Sequence, residues 1–113
     1  SIIVTFFGSE IVKEELKEIE ILQEKISCNI LSFHLMPKNE KLEHIKLLEK
    51  LLERQKILYA RLSLSDNPDA IEMKNRLDDA TKLIGLPGEV QIEDVFRNMF
   101  NLIEDTKREL QNE

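Results

Sequence analysis

The sequence is poor in the residues that mark secretion, metal binding or irregular structure. Cys28 is its only cysteine, which excludes an internal disulfide and a zinc site built from several cysteines. A reducing, cytoplasmic setting is therefore expected. Among 113 residues there are no tryptophans, one tyrosine, three glycines and three prolines. So few residues that interrupt regular structure favour long, continuous helices.

Long apolar runs and an excess of positive charge are also missing. No run approaches the roughly 20 apolar residues that a membrane-spanning helix needs. The apolar opening at residues 1–7 is shorter than a signal peptide and lacks its positive start, so no targeting segment is expected. The net charge of −6 disfavours nonspecific binding to nucleic acid. We therefore expect neither a membrane nor a nucleic acid as a direct partner.

What the sequence does contain is typical of a small all-α protein. Charged residues make up 34% and hydrophobic residues 42% of the chain, which suits helices with one apolar and one solvated face. We expect a single domain over residues 1–113. Prolines, glycines and a serine-rich stretch divide four helical segments, predicted at about 9–31, 37–62, 67–84 and 92–110.

Helix-end signals support these four segments. Ser9 and Asn67 are predicted N-caps, Pro37 and Pro68 are predicted at the first helical position, and Gly85 is predicted to follow the third helix.

Apolar residues recur at steps of three and four in each segment, as helical packing faces require. The second helix has the widest apolar face, because leucines flank its main stripe, and it is expected to pack on more than one neighbour. The stripes are Val12, Leu16, Ile19, Leu22, Ile26 and Ile30; Ile45, Leu48, Leu52, Gln55, Tyr59 and Leu62; Ala70, Met73, Leu77, Ala80 and Ile84; and Ile92, Phe96, Met99, Ile103, Thr106 and Leu110. They predict a long helical hairpin followed by a shorter helical pair, in a four-helix bundle-like arrangement that is either compact or elongated.

Residues 1–8 form an apolar N-terminal arm with some strand character. This arm is predicted to be a short strand, an extended arm over the bundle or part of an oligomer contact. Left exposed, it would be an aggregation hazard. Phe6 and Phe7 are therefore candidate contact residues.

Charge is divided unequally between the first two helices. Residues 9–31 carry six acidic and three basic residues, whereas residues 37–62 carry four acidic and seven basic ones. Four of those basic side chains, Lys46, Lys50, Arg54 and Arg61, share one sector of the second helix. They predict either a docking stripe for an acidic partner or a solvated face that complements the acidic first helix. Ile57 lies opposite the main apolar stripe and indicates a second contact.

No catalytic, cofactor or metal site is recognisable, and we do not expect an enzyme. The glycines match no phosphate-binding spacing. Glu40 and His44 are four residues apart, but the chain has no Glu-x-x-His motif of the kind that builds di-iron bundles. His44 is expected to be a hydrogen-bonded polar residue near the end of the bundle. Cys28 is expected to be accessible and structural or incidental.

Two stretches carry a resemblance to a known family. They are Phe6-Phe-Gly-Ser-Glu-Ile-Val12 and the region Leu51-Leu-Glu-Arg-Gln-Lys-Ile-Leu-Tyr59 with Arg61-Leu-Ser-Leu-Ser-Asp66. They resemble an uncharacterised family, with a domain of unknown function, from cyanobacteria and their tailed phages. The resemblance starts at Phe6, which implies that residues 1–5 are an extension. It implies an all-α fold, a bacterial or phage-infected cell, and a loose association with the transcription machinery, and it brings no catalytic residues.

Taken together, the residues predict a non-enzymatic protein–protein interaction module that acts through amphipathic helices and needs no cofactor. Self-association is one form that this interaction could take. The alternatives are an accessory factor that binds RNA polymerase and a phage virion or assembly protein.

Overall fold

Four helices account for most of the structure, and the second is the central one. The computed structural model describes residues 5–83 and 91–113. Within these ranges the helices are α1 (Glu10–Asn29), α2 (Lys38–Leu64), α3 (Pro68–Lys82) and α4 (Ile92–Gln111). Single 3-10 turns precede α1, at Phe6–Gly8, and α2, at Phe33–Leu35. The predicted all-α, bundle-like fold is confirmed.

All three other helices pack against α2, and α1 and α4 both run antiparallel to it. Near the end of α2, Arg61 pairs with Glu15 in the first half of α1. At the start of α2, the Lys38 ammonium donates to the backbone carbonyls of Gln111 and Glu113. Gln111 is the last residue of α4, and Glu113 follows it. The wide apolar face predicted for the second helix is thus shared among three neighbours.

The bundle is elongated rather than compact. Its radius of gyration is 16.6 Å and its extents are 58 × 35 × 20 Å, whereas a compact chain of this length would have a radius of about 13 Å. The cause is the length of α2, whose 27 residues span about 40 Å. The 15 residues of α3 cover only part of that length.

The core follows the predicted stripes of the first two helices closely. It consists of Val12, Ile19, Leu22 and Ile26 from α1, Ile45, Leu52, Tyr59 and Leu62 from α2, Ala70 from α3 and Leu110 from α4. Other predicted stripe residues are exposed instead of packed. Ile30 is 63% exposed because α1 ends one residue earlier, and Met73, Ala80 and Met99 lie at the edge of an open groove.

The helix-end predictions were correct in part. The Asn67 side chain accepts from the Asp69 N–H at 3.0 Å, and Pro68 lies in the first turn of α3, as predicted. Pro37 is the N-cap of α2 rather than its first residue. Ser9 is the N-cap of α1, but its backbone carbonyl, not its side chain, makes the capping contact, with the Lys13 N–H. The predictions for Ile84 and Gly85 lie outside the described residues.

The described part of the N-terminal arm is a turn and not a strand. The Gly8 N–H donates to the Thr5 carbonyl at 3.1 Å, which closes a 3-10 turn over Phe6–Gly8. The rings of Phe6 and Phe7 meet edge to face, with centroids 5.0 Å apart. The turn packs on α1 and α3, so local hydrogen bonds and helix contacts replace the strand pairing that the apolar pattern suggested.

Candidate functional site

An open apolar groove of about 550 Å³ lies along the second half of α2. Its floor is formed by Gln55, Leu58, Tyr59 and Leu62 of α2. This volume falls within the range of roughly 300–1,000 Å³ that is usual for ligand-binding pockets. We call it the groove.

The walls of the groove come from every other part of the fold. α1 contributes Leu16, Ile19, Glu20 and Gln23, while α3 and α4 contribute Met73, Leu77, Phe96 and Met99 among others, and Phe7 adds an aromatic ring from the N-terminal turn. Met73 is 37% and Met99 47% exposed. Methionine side chains are flexible and polarizable, so they can adapt to the shape of an apolar partner.

The groove is nearly uncharged, although about a third of the chain consists of charged residues. Among its described lining residues, Glu20 is the only one with a formal charge. The glutamines Gln23 and Gln55 supply hydrogen-bonding groups on opposite helices. An apolar segment could therefore enter the groove without burying many charged groups, which is the most costly part of forming an interface.

A small polar cluster fastens α3 to α2 beside the groove. The Tyr59 hydroxyl donates to Oδ1 of Asp78 at 2.7 Å, and the Lys74 ammonium donates to Oδ2 at 2.8 Å. Burial, and then the hydrogen bond to Asp78, raise the pKa of Tyr59 above its ordinary value. The hydrogen bond from Lys74 lowers the pKa of Asp78, and the same bond raises the pKa of Lys74. These contacts therefore favour a protonated Tyr59 hydroxyl, an ionised Asp78 carboxylate and a protonated Lys74 ammonium, which are the states that form the two hydrogen bonds.

Three of the four basic residues predicted as a docking stripe form ion pairs with α1, although their side chains remain 38–53% exposed. Arg61 pairs with Glu15 at 2.7 Å, and Lys50 and Arg54 both approach Glu18, at 3.6 and 3.3 Å. These contacts correspond to the second interpretation of the stripe, in which it complements the acidic first helix.

Lys46, the fourth residue of the stripe, pairs with Glu43 of its own helix at 3.2 Å and remains 64% exposed.

The other candidate contact residues are divided between two surfaces. Ile57 is 37% exposed and does not line the groove. Phe7 lines the groove, whereas Phe6 lines a separate hollow beside Ile11 and Leu64. Of the candidates named from the sequence, only Phe7 belongs to the groove.

The end of the α1–α2 hairpin carries an exposed apolar cluster that the sequence analysis did not identify. Ile30 is 63%, Leu31 87% and Leu35 77% exposed. We call these three residues the apex cluster. The sequence does contain a signal for this cluster, which is the lack of charge: residues 26–37 contain no Asp, Glu, Lys or Arg.

His44 lies just below this apex and is only 5% exposed. Its ring packs on Phe33, with centroids 5.3 Å apart. The expected position near the bundle end is correct, but its buried Nδ1 has no hydrogen-bond partner among the described residues. His44 also lines a hollow of about 280 Å³ together with Asn29, Met36, Asn39, Glu40 and Glu43.

Within residues 5–83 and 91–113, no group of three or more His, Cys, Asp or Glu side chains is arranged to hold a metal ion. Cys28 is exposed, as expected. Within the same two ranges, no helix is both long enough and apolar enough to cross a membrane.

Comparison with known proteins identifies a family but no function. A family model described as Domain of unknown function (DUF1825) matches residues 4–110. No curated protein and no solved structure matches the chain. The match begins before Phe6, so it includes part of the segment that the resemblance treated as an extension.

Proposed function

The chain belongs to the family described as Domain of unknown function (DUF1825), and we propose that it acts as a non-enzymatic protein–protein interaction module whose binding site is the groove. The observation that carries this proposal is an open, 550 Å³ apolar groove with a single charged side chain among its described lining residues. Concave, mostly apolar clefts of about this volume are the usual form of binding sites in proteins. The partner is expected to supply an apolar protein segment, such as one face of an amphipathic helix.

The geometry of the groove suits a protein segment better than a reacting substrate. Two half-exposed methionines, Met73 and Met99, can adjust to side chains of different shape. Gln23 and Gln55 can hydrogen-bond to a backbone or to polar side chains at the rim of the partner. The binding energy would come from the burial of apolar area, at about 25 cal/mol per Å² before the costs of association.

The basic stripe of α2 is a weaker candidate for the same role. Its ion pairs with Glu15 and Glu18 would have to be exchanged for new pairs with an acidic partner. Such an exchange gains little, since exposed ion pairs contribute only about 0–1 kcal/mol each. A role for Lys46, Lys50, Arg54 and Arg61 as partner contacts therefore stays secondary to the groove.

Affinity purification with mass spectrometry tests the proposal when it is combined with matched variants. Met99→Glu places a carboxylate in the groove, and Leu102→Glu is its control, since Leu102 lies on the same helix, is 66% exposed and does not line the groove. We expect Met99→Glu to lose the proteins captured by the wild type and Leu102→Glu to retain them. Equal capture by all three proteins, with helical content confirmed by circular dichroism, would refute the proposal.

A second candidate is an accessory factor of RNA polymerase in the cytoplasm of a cyanobacterium or of a phage-infected cell. It is supported by the resemblance and by the long α1–α2 hairpin, which extends an elongated molecule of 58 Å and could enter a channel. Polymerase subunits captured by the wild type from a cyanobacterial lysate at low salt would favour it, and their absence would count against it. Recovery of the protein from purified virions would instead favour a role in phage assembly.

A further inference from the structure

We propose that the occupant of the groove is the apex cluster of a second copy of this chain, so that two copies form a closed, two-fold symmetric dimer. This inference rests on the proposed function and names the partner of the same site. Each copy would insert Ile30, Leu31 and Leu35 into the groove of the other.

The apex cluster is presented by an ordered turn. The Ser32 hydroxyl donates to the Asn29 carbonyl at 3.2 Å, and the Leu35 and Met36 N–H groups donate to the carbonyls of Ser32 and Phe33 at 3.0 Å. The Phe33 ring packs on buried His44. A preorganised turn loses less conformational entropy on binding than a loose loop, so its exposed apolar side chains are suited to insertion into a pocket.

The two surfaces match each other in charge. No Asp, Glu, Lys or Arg occurs in residues 26–37, and Glu20 is the only charged residue among the described lining of the groove. In a chain that is 34% charged, the apex cluster and the described lining of the groove are thus both almost free of charge. Depletion of charge at the centre is the compositional mark of protein interfaces.

The spacing of the two surfaces allows the dimer to close. The apex ends at Pro37 and the groove floor begins at Gln55, so about 27 Å of α2 separates them. The cluster therefore cannot reach the groove of its own copy. In an antiparallel pair related by a two-fold axis near the middle of α2, each apex would lie at the same level along the helix as the other copy's groove. Both contacts form in one pairing, as an isologous interface requires.

Salt should strengthen this dimer. Each copy carries a net charge of −6, so the two copies repel each other at low ionic strength, whereas the contact itself is nearly neutral. At 0.15 M salt the Debye length falls to about 8 Å and the repulsion is screened. The dissociation constant is therefore expected to decrease when the NaCl concentration is raised from 0.01 to 0.15 M.

Sedimentation equilibrium over a concentration series tests the proposal with three variants of the full chain. Leu31→Glu disables the apex and Met99→Glu disables the groove. Leu64→Glu is the control, because Leu64 is as exposed as Leu31, at 87%, and lies outside both surfaces. We expect the wild type and Leu64→Glu to dimerise alike, and the dissociation constant of each of the other two variants to rise at least about tenfold.

Mixing the two disabled variants gives the sharpest result. Leu31→Glu retains its groove and Met99→Glu retains its apex, so an equimolar mixture can form one of the two contacts. We expect a heterodimer that is weaker than the wild-type dimer and stronger than either variant alone. A mixture that stays monomeric while the wild type dimerises would overturn the proposal.

A wild type that stays monomeric at every concentration would also overturn the proposal. Capture of other proteins that is lost in Met99→Glu would then leave the proposed function standing.

Discussion

Replacing Tyr59 with phenylalanine removes one hydroxyl from the α2–α3 contact and leaves the buried ring in place. Tyr59 is 7% exposed, and its hydroxyl donates to the Asp78 carboxylate at 2.7 Å. A hydrogen bond to a charged group contributes roughly 1.5–3 kcal/mol when it is buried. Here the Asp78 side chain is 31% exposed and keeps its bond to Lys74, so water can replace part of the loss. We therefore expect a destabilisation of about 1–1.5 kcal/mol.

Urea unfolding followed by circular dichroism measures this loss. Asp79→Asn is a matched control, because the neighbouring carboxylate is 75% exposed and approaches only Lys82, at 3.8 Å. That control should change the free energy of unfolding by less than about 0.5 kcal/mol. A double-mutant cycle between Tyr59→Phe and Asp78→Asn should give a coupling of about 0.5–1 kcal/mol. The reasoning fails if Tyr59→Phe costs no more than Asp79→Asn, or if the cycle shows no coupling.

The pH dependence of the same cluster can be observed directly, because Tyr59 is the only tyrosine and there is no tryptophan. Absorbance of the tyrosinate should show a pKa above 10.0 in the folded protein, raised first by burial and then by the bond to Asp78. Asp78→Asn should lower it. Since the folded pKa is raised, this stabilisation is complete below about pH 10 and is lost as the pH rises through the folded value. A folded pKa at or below 10.0 would refute the assignment.

The pKa of Asp78 is shifted in the opposite direction. Its hydrogen bond from Lys74 holds it below the ordinary value of 3.8. The stabilisation from Asp78 is therefore present above about pH 4 and is lost as the pH falls through the folded value. In Asp78→Asn, the free energy of unfolding should therefore decrease less than in the wild type as the pH is lowered below about 4.

Three further predictions concern packing, capping and accessibility. Leu62→Ala should destabilise the fold by about 2–4 kcal/mol in urea unfolding, because Leu62 is 2% exposed. Leu64→Ala is the control, since Leu64 is 87% exposed, and it should change stability by less than about 0.5 kcal/mol. Equal effects of the two substitutions would contradict the burial of Leu62. Asn67→Ala should cost about 1 kcal/mol through the lost bond to the Asp69 N–H, and Asn67→Asp, which keeps the acceptor, should cost much less. Cys28 is exposed and should react with a disulfide reagent in the folded protein as fast as in urea, and strong protection would refute its exposure.

The helices were predictable because their information is local. A run such as Val12, Leu16, Ile19, Leu22 and Ile26 repeats at the helical period, and no other regular structure would place these residues on one face. The Asn67-Pro68 start of α3 was predictable for the same reason, since the cap and the fixed proline φ act within one turn. Element type and most core residues of the first two helices therefore followed from the pattern.

The candidate site was much less predictable. Met73 and Met99 continue apolar stripes, so the pattern predicts buried residues, but both lie at the edge of the groove and remain partly exposed. From the sequence alone, Arg54 and Arg61 fit a docking surface and a face that complements α1 equally well. The positions of Glu15 and Glu18, which pair with them, are visible only in the tertiary structure. A helical period states which face a residue occupies and not whether another helix covers that face.

The few turn-forming residues, the four apolar stripes and the unequal charge of the first two helices were properties of the sequence alone. They determined that the chain is helical and that α2 has the widest apolar face. The tertiary structure alone decided how that face is shared. α2 is longer than α3, and three helices pack against it at different points along its length. The groove therefore stays open along the second half of α2, and the apex cluster stays exposed near the start of α2. Burial depends on the lengths and positions of separate helices, and a pattern within one helix does not contain that information.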